Sequence, residues 1–372
     1  MKRIISSLLA IILLLGVHCV SAQSVQAADK DTVALKFLDA LGVLPENFDA
    51  SQEMTRAEFV DFVITAMKLD GAGSVDTSHF LDVDQSHPYY DSISVASQQG
   101  LIQGDEFSLF RPDRIITFED AVKIATSAIG YAPVAITRGG YAIGYMVVAE
   151  QNDLLEHLNS DNTSGNLAGL VYNMLCAPML SVKSMDADSV KYANSEDDTI
   201  LSHYWKILKR KGYVTEVGFS TYTGPSTLSA EKVRLDDEVF LVGNTDVEQY
   251  FGCNVTYFYE DSDNAGLKKL VYLYPSKAIQ EEVILAEDII DVDLANSNIE
   301  YYANGNNKRT NFSKTPYVIY NGVALSNYSR EDLKPEYGSI RLMDGDNDGE
   351  YEFLFISDME YVQVGYIDLD KQ

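Results

Sequence analysis

The feature that most constrains this chain is a recurrence within residues 30 to about 180. A Gly followed by an apolar pair occurs at Gly42-Val43-Leu44 and again at Gly100-Leu101-Ile102. An apolar residue plus Thr then opens a helical run. It reads Met54-Thr55-Arg56-Ala57-Glu58-Phe59 first, and Ile116-Thr117-Phe118-Glu119-Asp120-Ala121 second. A worn third copy reads Asn162-Thr163-Ser164-Gly165-Asn166, upstream of Leu167 to Leu175. The physics of the landmark is helix capping. Thr55 and Glu58 make a T-x-x-E capping box, in which each side chain satisfies an orphan N–H of the first turn. Thr117 and Asp120 repeat the arrangement with a shorter acid. Behind the first cap, Phe59, Val60, Val63, Ile64 and Met67 recur at helical spacing; behind the second, Ala121, Val122, Ile124, Ala125 and Ile129 do the same. Each unit reads helix, loop, capped helix. One such pair cannot bury its apolar stripe alone, so the copies are expected to pack on each other.

Further landmarks fall between the copies. Phe80-Leu81-Asp82-Val83 and His87-Pro88-Tyr89-Tyr90 precede Gly100-Leu101-Ile102-Gln103-Gly104, then Phe110-Arg111-Pro112 and Ile116-Thr117. This ordered set resembles the S-layer homology repeat. The middle copy, about 80–131, is the clearest. The first, about 31–69, lacks the F-x-D-V and F-x-P elements but carries Thr55-Arg56-Ala57-Glu58. The third, about 139–180, opens with Gly139-Gly140-Tyr141 and ends in Tyr172-Asn173-Met174-Leu175, a style similar to clostridial-type members. The resemblance implies a pseudo-threefold helical module over 29–180. Its grooves would bind secondary cell-wall polysaccharide, often through an acidic pyruvate ketal. Arg56 suits that chemistry. A guanidinium one residue inside a helix N-terminus adds a full charge to the dipole and offers a bidentate fork to a carboxylate. Thr55, Arg56, Glu58 and Arg111 are the candidate glycan-binding residues. The competing reading makes Arg56 a solvated surface charge. The second copy has Phe118 and the third Ser164 at the Arg position. Either one site binds, or Arg111, Arg114 and Arg138 substitute, or the module only packs.

The N-terminus reads as an address. Lys2 and Arg3 precede an apolar run from Ile4 to Val17, and Val20-Ser21-Ala22 fits a cleavage site. Residues 1–22 are expected to be a secretory signal peptide, too short for a comfortable membrane span. No other stretch is long and apolar enough to span. The net charge of −28 repels nucleic acid and anionic membranes. Two cysteines, Cys176 and Cys253, remain after the leader, and both are expected to be free.

Residues 181–199 are polar and acidic and read as a linker. Ile200 to Lys211 reads as a short basic helix, with Trp205 packed in a core. From Gly212 the pattern changes to period two with β-branched and aromatic residues. Expected strands are Tyr213–Phe219, Glu238–Val242, Asn254–Tyr259, Lys268–Tyr274, Glu282–Leu285, Ile299–Tyr302, Tyr317–Tyr320, Ser339–Met343, Tyr351–Ile356 and Tyr361–Tyr366. Turns such as Asn321-Gly322 argue an antiparallel barrel or sandwich over 200–372. The whole reads as an α+β multidomain chain: an all-α three-repeat module followed by a mainly antiparallel β domain.

Within the β domain, Asp344-Gly345-Asp346-Asn347-Asp348-Gly349 is the D-x-D-x-D-G start of a calcium loop. An EF-hand needs Glu at the twelfth position, where Phe355 stands, and the flanks read as strands. A Ca²⁺-clasped hairpin through Asp344, Asp346, Asp348 and Glu352 is weighed against a solvated acidic turn.

No G-x-S-x-G, H-E-x-x-H or P-loop occurs, and His79, His87, His157 and His203 lie at no metal spacing. No cofactor other than Ca²⁺ suggests itself. The expectation is a secreted, non-enzymatic protein of the cell wall or S-layer, anchored to secondary cell-wall polysaccharide. Self-association or contact with other surface proteins is compatible with it. The rival expectations are a wall or polysaccharide hydrolase on the same anchor, and a fragment of a longer precursor.

Overall fold

A computed structural model describes residues 24–25, 30–70, 80–186, 189–261 and 266–360. The expected leader (1–22), His79 and the expected strand Tyr361–Tyr366 lie outside the described residues. The fold is α+β.

Helices fill the first half. α1 (Lys30–Ala40) and α2 (Arg56–Ala66) form one helix–loop–helix unit. α3 (Tyr90–Gln98) and α4 (Phe118–Ala128) form a second. After the short α5 (Ala132–Thr137), α6 (Ile143–Gln151) and α7 (Ser164–Cys176) form a third. The second helix of each unit starts behind a Thr cap. Thr55 Oγ1 accepts the Glu58 N–H at 3.2 Å, and the Glu58 carboxylate accepts the Thr55 N–H at 2.8 Å. Thr117 accepts from the Asp120 N–H at 3.3 Å and Thr163 from the Asn166 N–H at 3.4 Å. Only the first cap is a full box, because the Asp120 carboxylate is engaged across the module by Arg56.

The loops ahead of these helices are sewn together by backbone bonds. Ile116 N–H donates to Met54 O at 3.0 Å, and Arg56 N–H to Arg114 O at 2.8 Å. Ser164 N–H donates to Gln52 O at 2.7 Å, and Gly165 N–H to Ala50 O at 2.9 Å. The starts of α2, α4 and α7 are thereby brought side by side. Their apolar faces bury Phe59, Phe62, Ile64, Val122, Ile124, Leu167 and Leu175 in one core.

Strands fill the second half. β4 (Ile207–Val217), β6 (Lys232–Leu235), β7 (Glu238–Leu241), β9 (Lys269–Pro275) and β8 (Asn254–Glu260) are hydrogen-bonded in that order, and β8 returns to β4. β4 closes this small barrel because it is long enough to serve two partners. Its first half, Ile207 to Tyr213, pairs with β8, and its second half, at Val214 and Glu216, with β6. β5 (Ser220–Thr221) extends the rim beside β4.

A second sheet runs β1 (Ser24–Val25), β10 (Ile279–Leu285), β16 (Gly338–Asp344), β17 (Phe353–Asp358), β14 (Tyr317–Tyr320) and β15 (Val323–Leu325). Asn321 and Gly322, both at positive φ, make the two-residue turn between β14 and β15. β11 (Ile289–Asp293), β12 (Asn298–Ala303) and β13 (Asn306–Asn311) form a third, three-stranded sheet. Pairing is mainly antiparallel, with parallel contacts at β14–β17 and β7–β9.

Two local expectations need correction. The stretch read as a linker, 181–199, carries an antiparallel hairpin of β2 (Ser181–Asp186) and β3 (Ser189–Ala193). The stretch from Ile200 to Lys211 is not a basic helix. It makes one wide helical turn, Leu201–Trp205, which Lys206 ends at φ +56°, and then becomes β4. The backbone of Lys209 to Lys211 is held by β8 rather than by helical bonds, so cross-strand pairing outweighs local helix propensity.

The helical core also runs on into the barrel. Ile200, Leu201, Ile207 and Phe258 belong to it, and Phe37 of α1 meets Phe258 of β8 with ring centroids 4.2 Å apart. Trp205 packs on the same core, and its indole N–H donates to Ala66 O at 2.8 Å.

Candidate functional site

One groove gathers most of the sequence landmarks. Asp82, from the F-x-D-V segment, accepts the backbone N–H groups of Phe110 at 2.8 Å and Arg111 at 2.7 Å. Phe80 packs on Phe110 with centroids 5.4 Å apart. Two residues of one tetrapeptide thus pin the loop that carries the other landmark. Arg111 takes a left-handed φ of +61° there, and its Nε and Nη2 donate to Asp105 at 3.0 and 2.8 Å. Asp105 is held below the usual carboxylate range, first by the Leu109 N–H and then, against burial, by Arg111.

Arg56 projects from the start of α2 into this loop. Its Nη1 donates to Asp120 at 2.7 Å and its Nε to Phe110 O at 3.0 Å. The guanidinium carbon stands 4.9 Å from the Phe110 ring centroid, and the side chain is only 14% exposed. Arg56 is therefore not a solvated surface charge. It clamps the N-terminus of α2 to the first turn of α4.

Arg56 and Arg111 line a common groove of about 430 Å³. The structure places Thr55 and Glu58 differently: they are spent on each other in the cap, so their role is to start α2. The groove is completed by Arg114, Lys123 of α4 and Tyr141 ahead of α6. Arg138, which caps the end of α5, does not line it. Four cations face two carboxylates, Asp105 and Asp120, in a chain whose net charge is −28. Burial pushes the Lys123 ammonium down, Asp120 opposes this and Arg56 adds to it. Burial raises the Tyr141 phenol, and its hydrogen bond to Asp120 raises it further. The sequence reading passed over Lys123 and Tyr141. Lys123 lies one turn beyond Asp120 on the same helix face, a signal the cap motif could have supplied. Tyr141 is marked locally only as part of the Gly139-Gly140-Tyr141 opening of the third copy, and it reaches the groove from the third unit.

A second cluster sits between β16 and β17. Asp344, Asp346, Asp348 and Glu352 each bring a carboxylate oxygen within 4.8 Å of the others. Asp344 is buried, and its oxygens accept the N–H groups of Asp346, Asn347, Asp348 and Gly349. Glu352 accepts the Gly345 N–H at 3.2 Å. Asp346 Oδ1 is buried without a hydrogen-bond partner. The first aspartate thus folds its own turn, and the other three carboxylates are the ones with capacity left for a cation.

Comparison with known proteins bears on the helical half. The S-layer homology domain model matches residues 79–122, the segment from the Asp82 loop into α4. The chain is 26% identical over 229 residues to the surface layer protein of Brevibacillus choshinensis, covering 56% of this chain and 20% of that protein. It is 23% identical over 369 residues to the middle cell wall protein of Brevibacillus brevis strain 47, covering 86% and 34%. It is 23% identical over 294 residues to the cell surface protein of Thermoanaerobacter kivui, covering 69% and 38%. The chain therefore spans between 20% and 38% of the length of these relatives. Motif order and the matched segment lead to one conclusion: over residues 79–122 this chain carries an S-layer homology domain.

Proposed function

We propose that the helical module holds this protein at the cell surface by binding secondary cell-wall polysaccharide. The three helix–loop–helix units, about 31–69, 80–131 and 139–180, are read as three S-layer homology repeats. The observation that carries the proposal is the groove beside Arg56. It concentrates four cations around an aromatic wall in a chain twice as rich in acids as in bases. Such a groove attracts an anionic polymer that the rest of the surface repels. Arg56 and Arg111 shape it, with Thr55 and Glu58 fixing the helix start beneath them. The role is structural and S-layer-associated rather than catalytic, a reading supported by the names of its relatives, which are surface layer, cell wall and cell surface proteins. The location is the extracellular cell wall. No helix among the described residues is long and apolar enough to cross a membrane.

The test is cosedimentation of the exported protein with purified cell-wall sacculi, before and after removal of the secondary polymer. Binding that is lost with the polymer supports the anchor. Equal binding to both preparations, or none to either, removes it.

The acidic hairpin is proposed to take Ca²⁺. The donor set is all oxygen, as a hard cation requires, and Asp346 Oδ1 has no protein partner. Asp346, Asp348 and Glu352 would hold the ion, and Asp344 would hold the loop around it.

A further inference from the structure

The Arg of the T-R-A-E segment is already paired inside the protein through its Nε and Nη1. Its guanidinium is shared between Asp120, Phe110 O and the Phe110 ring. Arg111 is likewise paired, with Asp105. Two cations in the same groove are different. Among the described residues neither Lys123 nor Arg114 is in an ion pair. Beside them stands Tyr141, 58% exposed, with Lys123 Nζ 5.9 Å from its ring centroid. An aromatic ring left that open beside an unpaired ammonium is poorly explained by packing. It offers a flat apolar face next to a positive charge, the pairing that a sugar ring bearing an anionic group requires.

We propose that Lys123 and Arg114 supply the charge that binds the anionic group of the wall glycan, and that Tyr141 stacks on the sugar ring carrying it. This rests on the reading of the groove as the glycan site. Arg56 and Asp120 form the base on which the three contacts stand. The Asp120 carboxylate pairs with Arg56 and lies close to Lys123 and the Tyr141 phenol. The contact surface is therefore composite: α4 gives Lys123, the loop before α4 gives Arg114, and the third unit gives Tyr141. It explains why the unit with Phe118 in place of the signature Arg can still contribute to a charged groove. The cation it contributes is five residues further along the helix.

The test uses the exported full chain and sacculi with the secondary polymer intact. Lys123→Met keeps the alkyl stem on α4 and removes the charge, and Tyr141→Ala removes an exposed ring. Lys314→Met, an exposed lysine of the β half, controls for bulk charge. Loss of one charge-assisted contact predicts an affinity about tenfold or more lower for Lys123→Met. Tyr141→Ala is expected to lose several-fold, Lys123→Met with Arg114→Gln more than either alone, and Lys314→Met nothing. Thermal melts accompany each variant, and the expected binding losses occur at wild-type melting temperatures. Wild-type affinity for both Lys123→Met and Tyr141→Ala overturns the assignment while leaving the groove as the glycan site. A wild-type protein that ignores the polymer overturns both readings, and the two failures are distinct in the same assay.

Discussion

At the scale of single residues, burial decides what a charge is for. Glu352 is pushed up to about 7, chiefly by burial, with Asp344 and Asp346 adding to the rise against two backbone hydrogen bonds. Its ordinary value is 4.5, so the folded protein holds the proton more tightly than the unfolded chain does. In chelator the resulting stability is fully present below the unfolded value. It is lost as pH rises through about 7. Melting temperatures of the full chain in EDTA should therefore fall from about pH 5 to about pH 8, and Glu352→Gln should flatten the trend. On the proposal that the hairpin takes Ca²⁺, the ion would replace that proton, so its stabilising effect should grow over the same interval and exceed that of equal magnesium. Equal shifts with the two cations would return the hairpin to an acidic turn. The same logic separates Arg56 from Lys123. The sequence marks Arg56 by its motif, and only its surroundings reveal that its charge is already answered by Asp120.

At the scale of elements, the caps were legible and the junctions were not. Thr55, Thr117 and Thr163 start α2, α4 and α7 because a hydroxyl before an apolar stripe satisfies first-turn N–H groups wherever it occurs. The expected strands from Glu238 to Ile356 likewise fall on or beside observed ones, since period two is a local property. The run from Ile200 failed because its basic and apolar residues suit a helix equally well, and β8 decided the matter. A close approach between α5 and α6 gives a further case. A Cβ on Gly144 would lie 2.1 Å from Ala135 O. Gly144→Ala must push the two helices apart, at a cost of about 1–3 kcal/mol. Because Tyr141 stands just ahead of α6, sacculus binding should weaken in the same variant. Urea denaturation with an unchanged midpoint would show that the turn between α5 and α6 absorbs the methyl group without strain.

At the scale of the molecule, the helical half and the barrel share a core. Along β8 the faces alternate: Phe258 packs with Phe37 in the helical core, while Tyr257 and Tyr259 turn into the barrel against Phe240. Phe258→Ala should cost about 3–5 kcal/mol and lower the stability of both halves together. Trp205, the only Trp in the chain, sits at this junction through its bond to Ala66, so its fluorescence reports directly on it. The expected result is one transition, seen at the same midpoint by helical circular dichroism and by Trp205. A helical transition left at its wild-type position, with only the Trp205 signal displaced, would contradict the shared core.

What the sequence determined by itself was local: three capped helices, the order of motifs around Asp82 and Phe110, the switch to strands and the acidic turn. These depend on neighbours a few residues apart, where spacing alone sets geometry. The tertiary structure decided what required distant segments to meet. It paired Arg56 with Asp120 and set Tyr141 beside Lys123. It turned the basic run into a barrel strand and joined the two halves at Phe37 and Phe258. Each of these rests on burial and on contacts between residues far apart in the chain, and no window of sequence contains either partner's environment.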